Sequence, residues 1–206
     1  REVVELIRAC GGEITYDYQL DAKGLPVSDT KFSAPRWLVR LLGVDFFARV
    51  VEVDGGARLS DNDMSLLPNL KSVRAFYLTG NNKVSNVGLS YLSDLDKLSF
   101  LYIKNTQTTD ASFPHLRNLH HLEYLILDGT KITGNGLAFL SSLSELIHLS
   151  AQNTQLSDSG MQHIAELGAL KLLNISNTKV SDTGIAYLQP LRNLKYLALN
   201  GTLITD

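Results

Sequence analysis

Leu101, Leu125, Leu149, Leu173 and Leu197 recur at intervals of 24 residues, and no other feature of the 206-residue chain constrains its fold so tightly. Each is followed two residues later by an apolar residue: Ile103, Leu127, Ala151, Ile175 and Leu199. The pairs Asn105-Thr106, Gly129-Thr130, Asn153-Thr154, Asn177-Thr178 and Gly201-Thr202 come next. A hydroxyl residue and usually an acid close the phrase, as in Thr109-Asp110, Ser157-Asp158, Ser181-Asp182 and Thr205-Asp206. Two earlier units fit with one extra residue each, Val51/Val53 leading to Ser60-Asp61 and Phe76/Leu78 leading to Ser85-Asn86. The count is six full units and the first half of a seventh. A unit of this size cannot bury its own apolar residues, so the units must stack and share one core.

Two periodicities divide each unit. Alternation in Tyr124-Leu125-Ile126-Leu127-Asp128 predicts a short strand with Leu125 and Leu127 on its inner face. Apolar residues then fall on every third position, as in Leu137, Leu140, Leu143 and Leu146, or Ile185, Leu188, Leu191 and Leu194. That spacing predicts a short α- or 3₁₀-helix and a turn back to the next strand. The preceding Ser or Thr suits the N-cap, and the neighbouring Asp suits the positive end of the helix dipole. Repeat-spaced Asp110, Asp158, Asp182 and Asp206 therefore read as one structural role reused, not as a catalytic pair.

The phrase Leu122-x-x-Leu125-x-Leu127-x-x-Thr130 resembles the leucine-rich repeat, and Thr-x-x-Thr/Ser-Asp-x-Gly-Leu is similar to its 24-residue bacterial varieties. The third unit departs by carrying Ser112 where Gly88, Gly136, Gly160 and Gly184 stand elsewhere. The resemblance covers residues 50–206 and implies an α/β solenoid, with a parallel sheet on its concave face and short helices on its convex face. It also implies protein binding as the usual activity.

Residues 1–49 do not repeat. Val3 to Cys10 has a helical pattern stopped by Gly11-Gly12, and Ile14, Tyr16, Tyr18 and Leu20 alternate as a strand. Asp21 to Thr30, with Gly24 and Pro26, reads as a loop. Ser33 and Pro35 open a second helix carrying Trp37, Leu38, Leu41 and Leu42 and ending at Gly43, before Phe46-Phe47. Together these predict an N-terminal α+β cap over the first repeat, with Trp37, Phe46 and Phe47 in its core. The same order of elements resembles the leader of repeat proteins from planctomycete-type bacteria. That resemblance implies a hydrophobic membrane segment upstream of Arg1, since the chain reads as a piece of a longer protein. At the other end, the strand around Leu197 lacks a successor and is an expected site of edge-to-edge self-association.

Composition narrows the chemistry. Nineteen basic and 21 acidic residues give a net charge of −2 with no block of like charge, which argues against nucleic acid. Cys10 is the single cysteine, so no internal disulfide can form, and a buried structural thiol is the expectation for it. No run of 18 apolar residues occurs. A metal site is not expected: His115 and His163 share a column but stand two units, about 10 Å, apart. His120-His121 point apart at a turn. Asp61-Asn62-Asp63 lacks the glycine and distal glutamate of a calcium loop and reads as a helix cap. Ser28-Asp29-Thr30-Lys31 matches Ser-x-x-Lys without the partner motifs that nucleophile needs. Neither an enzyme nor a cofactor is expected.

The outward face of the sheet is what remains. Three columns are expected there, headed by Val50, Glu52 and Asp54. The first continues through Ala75, Phe100, Tyr124, His148, Leu172 and Tyr196, and the second through Tyr77, Tyr102, Ile126, Ser150, Asn174 and Ala198. Thr79, Lys104, Asp128, Gln152, Ser176 and Asn200 continue the third. Tyr77, Phe100, Tyr102, Tyr124 and Ile126 cluster around the second to fourth units, and outward aromatics favour an interaction surface. A protein partner is expected across this face, anchored on the cluster and Tyr196, with Lys104, Asp128 and His148 setting polar specificity. Two other readings stay open: a glycan or cell-wall ligand, and a spacer whose face has no ligand.

Overall fold

The computed structural model describes residues 2–21 and 48–205. Among the described residues, eight strands form one sheet in chain order. They are β1 (Glu13–Tyr16), β2 (Val50–Asp54), β3 (Ala75–Tyr77), β4 (Phe100–Tyr102), β5 (Tyr124–Ile126), β6 (His148–Ser150), β7 (Leu172–Asn174) and β8 (Tyr196–Ala198). β1 runs antiparallel to β2, and each later pair is parallel. Short α- or 3₁₀-helices lie between successive strands, among them Asn86–Ser90, Asp110–His115, Asn135–Leu140 and Asp158–Ile164. This is the leucine-rich-repeat solenoid.

One ladder of inward residues runs through the sheet: Val53, Phe76, Leu101, Leu125, Leu149 and Leu173 stand opposite one another and are all fully buried. Leu78, Ile103, Leu127, Ala151 and Ile175 make a second inward ladder, and Leu140, Leu146, Leu170 and their equivalents close the core from the helix side. Each buried leucine contributes roughly 1.5–3 kcal/mol by leaving water. The Asn/Gly-Thr pairs turn the chain out of each strand. Asn105, Asn153 and Asn177 have φ of 53°, 56° and 55°, and Gly129 and Gly201 have φ of 67°. Asn and Gly tolerate this left-handed conformation best, which explains why no other residue fills the position. Thr106, Thr130, Thr154 and Thr178, which follow, are buried, and the hydroxyls of Thr130, Thr154 and Thr178 donate to the carbonyls of Leu127, Ala151 and Ile175.

The repeated aspartates do more than favour a helix dipole. Asp110 accepts hydrogen bonds from the backbone N–H groups of Thr133, Gly134 and Gly136 and from the Thr133 hydroxyl, all in the next unit. Asp61 reaches Ser85 and Gly88 in the same way, Asp158 reaches Ser181, and Asp182 reaches Thr205. A Cβ on Gly88 or Gly184 would stand 2.4 Å from the Oδ1 of Asp61 or Asp158, so the aspartate of one unit requires the glycine of the next. Asn86 replaces the aspartate in the second unit and pairs with Thr109 alone, which leaves room for Ser112.

Three expectations need correction. β1 stops at Tyr16 instead of running to Leu20, because Asp17–Gln19 form a 3₁₀ turn. The Asp17 carboxylate accepts from the N–H of Tyr18 and Arg49, and the Gln19 side chain accepts from Tyr16 N–H. Cys10 is partly exposed, not buried, although burial and then Asp63 raise its thiol pKa. The first unit also carries a different register. Val53, not Val51, stands opposite Phe76, so Glu52 lines up with Ala75 and Asp54 with Tyr77. Tyr16 pairs with Val50 and Thr15 with Glu52, which leaves Val51 as the extra residue of a β-bulge. The segment from Ala22 to Phe47, including Gly24, Pro26, Ser28, Lys31, Ser33, Pro35, Trp37, Leu38, Leu41, Leu42, Gly43 and Phe46, lies outside the described residues, as do Arg1 and Asp206.

Candidate functional site

Alternation and register together put two rows of side chains on the outer face of the sheet. One row reads Thr15, Glu52, Ala75, Phe100, Tyr124, His148, Leu172, Tyr196. The other reads Glu13, Asp54, Tyr77, Tyr102, Ile126, Ser150, Asn174, Ala198. Neighbouring strands lie about 4.8 Å apart, the spacing at which like rings in one row can touch. Phe100 and Tyr124 stack with centroids 4.6 Å apart at 14°, and Tyr124 meets the His148 ring edge-on at 5.6 Å. Tyr77 and Tyr102 lie 4.9 Å apart in the second row. All five rings are half-buried by one another.

The other expected site residues divide. Lys104 is exposed in the turn two residues past β4. Ile126 points outward as alternation requires, yet only 7% of its surface is exposed, so it forms floor between Tyr102 and Ser150 and offers little contact area. Asp128 is half-buried and already engaged: it accepts from the Ser150 hydroxyl and the Gln152 N–H. Its role is to tie β5 to β6. Tyr196 is 59% exposed but stands beyond Leu172, away from the aromatic cluster. Burial lowers the pKa of His148, against the opposing charge of Asp128, which favours a neutral ring. Burial and then Tyr124 raise the Tyr102 phenol.

Sequence reasoning missed the acidic end of these rows. Glu13, Thr15, Glu52, Asp54 and Tyr77 line a hollow of about 340 Å³. Burial, then Glu52, Tyr102 and Asp54, push the Tyr77 phenol above its ordinary value. The hidden signal was Gly55. It takes the slot that Leu78, Ile103 and Leu127 fill in later units, and its N–H donates to Tyr77 O as Leu78 N–H donates to Tyr102 O. Without a side chain there, the apolar-x-apolar pattern fits Val51-Val53 better than Val53-Gly55. Among the described residues, no group of three His, Cys, Asp or Glu is placed to hold a metal ion, and no helix is long and apolar enough to cross a membrane.

Comparison with known proteins agrees with this architecture. Residues 118–141 match the family model described as Leucine Rich repeat. Among solved structures, an internalin C2 from Listeria monocytogenes is 31% identical, with a TM-score of 0.57 over 69% of this chain and 58% of that one. A second internalin from Listeria monocytogenes is 27% identical, with a TM-score of 0.56 over 64% of this chain and 36% of that one. A leucine-rich-repeat protein of Leptospira interrogans, 23% identical, shares the fold at a TM-score of 0.52 over 68% of this chain and 34% of that one. The chain thus spans 36% and 58% of the lengths of the two internalins. No curated protein matches the sequence. Shared repeat, sheet and helices assign the chain to the leucine-rich-repeat proteins.

Proposed function

We propose that this chain is a non-enzymatic protein-interaction module that binds a polypeptide partner across the concave face of its sheet. The observation that carries the reading is the pair of ring ladders, Tyr77–Tyr102 and Phe100–Tyr124–His148, gathered on one outward surface. Half-exposed, mutually buttressed rings offer rigid contact area at small entropic cost, as interaction hot spots do. Leucine-rich-repeat proteins commonly mediate protein–protein interaction, and the internalin-like neighbours point the same way. In this reading Lys104 and His148 add polar contacts at the rim of the cluster.

Residues 50–206 act as the repeat body, and residues 1–49 as its capping region. Antiparallel pairing of β1 with β2 supports that division, as does the burial of Val3, Val4 and Ile7 from the helix Glu2–Ala9. The test replaces Tyr102 and Tyr124 with alanine. Capture of partner proteins from the source organism should weaken by about 2 kcal/mol or more, while the melting temperature changes little. A double variant that melts far lower and captures the same proteins would reduce the rings to packing elements.

A further inference from the structure

The register of the first strands places negative charge against the aromatic cluster. Glu13, Asp54, Tyr77 and Tyr102 follow one another along one row. Thr15, Glu52, Ala75 and Phe100 do so along the other. Ala75 is the smallest residue of its row after Glu52, where later strands carry Phe100, Tyr124, His148, Leu172 and Tyr196. The hollow lined by Glu13, Thr15, Glu52, Asp54 and Tyr77 lies over the first three strands, where the carboxylates meet the Tyr77–Tyr102 ring pair. Asp54 accepts one hydrogen bond, from Gly56 N–H, which leaves its second oxygen uncommitted. Glu13 and Glu52 have no ion-pair partner among the described residues.

We infer that the hollow receives an arginine side chain of the partner, carried on an extended segment that continues across the ring ladders. This rests on the concave-face reading above and names the partner's chemistry. A guanidinium is planar, donates in a fork to carboxylates and stacks on aromatic faces, so Glu52 and Asp54 hold its edge while Tyr77 faces its plane. Charge complementarity decides for a cation, because three carboxylates converge where an anionic or wholly apolar residue would be repelled or left poorly matched. The same geometry sets the spacing of the partner's next anchor. From β2 to the rings of β4 and β5 is two to three strand spacings, roughly 10–14 Å, or three to four residues of extended chain at about 3.4 Å each. An apolar or aromatic residue three or four positions from the arginine would then rest on Phe100, Tyr102 and Tyr124.

The probe is a display library of random peptides about a dozen residues long, selected on the whole 206-residue chain. Recovered peptides should share an arginine with an apolar or aromatic residue three or four positions away. Their binding should weaken about fivefold or more with Glu52→Gln, and again with Asp54→Asn, which keeps the acceptor for Gly56 N–H. It should also fall as salt rises from about 50 to about 500 mM, and with Arg→Lys in the peptide. Peptides that lack a cation, bind both charge variants like the wild type and still need Tyr102 overturn the arginine assignment while the concave-face reading stands. Peptides indifferent to Tyr102→Ala as well, or no recovered peptide at all, overturn both. Circular dichroism of each variant separates lost binding from lost folding.

Discussion

The units that begin at β4, β5, β6 and β7 share one spacing, whereas those at β2 and β3 do not. Inward ladder residues lie 24 apart from Leu101 to Leu197, but 23 apart from Val53 to Phe76 and 25 apart from Phe76 to Leu101. In the regular part the strand leucine, the left-handed Asn or Gly and the buried threonine recur in step. The irregular part instead holds a β-bulge at Val51, a glycine in a leucine slot and an antiparallel neighbour. Regularity here serves stacking, because each unit presents the next with the same surface. Irregularity re-aims side chains, and the two-residue shift it makes is what puts Asp54, not Glu52, beside Tyr77.

Truncation in the regular core should have the largest effect. Leu149 is fully buried, in line with Leu125 and Leu173, and Leu149→Ala should cost roughly 2–5 kcal/mol in chemical unfolding. A loss below about 1 kcal/mol would mean that the central units relax as readily as the first ones and that the contrast is false.

Added methyl groups draw the same contrast. A Cβ on Gly136 would stand 2.3 Å from Phe113 Cδ2 and 2.6 Å from the Asp110 carbonyl oxygen, a backbone atom that cannot yield cheaply. Gly136→Ala should therefore cost about 1–3 kcal/mol, as overpacking does. A Cβ on Gly55 crowds the Cδ2 ends of Leu59 and Leu78, each at 2.9 Å and each the end of a flexible side chain. The nearest backbone atom beyond its chain neighbours, the Tyr77 carbonyl oxygen, is at an ordinary 3.5 Å. Gly55→Ala should cost less than about 1 kcal/mol by the same measurement. Equal costs would show that the first unit is packed as rigidly as the rest.

Acid should loosen the regular part through the aspartate ladder. Burial by itself would raise the Asp110 pKa, but hydrogen bonds from Thr133, Gly136 and Gly134 outweigh it and hold the carboxyl below its ordinary value. A carboxyl depressed in the folded state stabilises fully above the ordinary value of 3.8, and that contribution is lost as pH falls through the lower folded value. Asp110→Ala should cost about 1–3 kcal/mol at neutral pH, since it leaves three N–H groups of the next unit without their acceptor. The gap between wild type and variant should close as the pH drops below about 4. A gap that stays constant with pH would remove the carboxylate from the ladder.

These sites differ in how far the sequence alone reveals them. The core ladder from Leu101 onward is legible because apolar side chains at a fixed period can satisfy themselves in only one stacked arrangement. Outward aromatics follow from the same alternation, and in the sheet Tyr77 stands opposite Tyr102 and Phe100 opposite Tyr124. Burial of Ile126 was not legible, because exposure on a concave surface depends on neighbours two strands away. The commitment of Asp128 to Ser150 and Gln152 was equally hidden, since a carboxylate on the outer face reads the same whether free or bonded. Illegible too was the acidic hollow. It depends on a bulge, and Val50 and Val51 are both buried at adjacent positions, which breaks the alternation that reading a strand relies on. The aspartate–glycine link could have been found: Asp61, Asp110 and Asp158 each precede a unit with glycine, while Asn86 precedes Ser112.

The smallest effect belongs to the charge that makes the first unit distinctive. Glu13 pairs with Asp54, and Glu52 lies on the same strand as Asp54, so three carboxylates share one end of the sheet. Like charges at this range repel, and no described cation pairs with Glu13 or Glu52. Neutralising one of them should relieve the repulsion without breaking a hydrogen bond. Glu52→Gln should thus change stability by less than about 0.5 kcal/mol, in the stabilising direction, and the difference should vanish in high salt as the charges are screened. The neighbouring phenol gives an independent reading. Glu52 is among the groups that raise the Tyr77 pKa, so its removal should bring the Tyr77 titration down toward the ordinary value of 10.0, measured on ring-labelled tyrosine by NMR. If Glu52→Gln instead destabilises by 1 kcal/mol or more, on the order of a lost hydrogen bond, the acids of the first unit are structural like the aspartates of the later ones. The two ends of the solenoid would then differ in register but not in purpose.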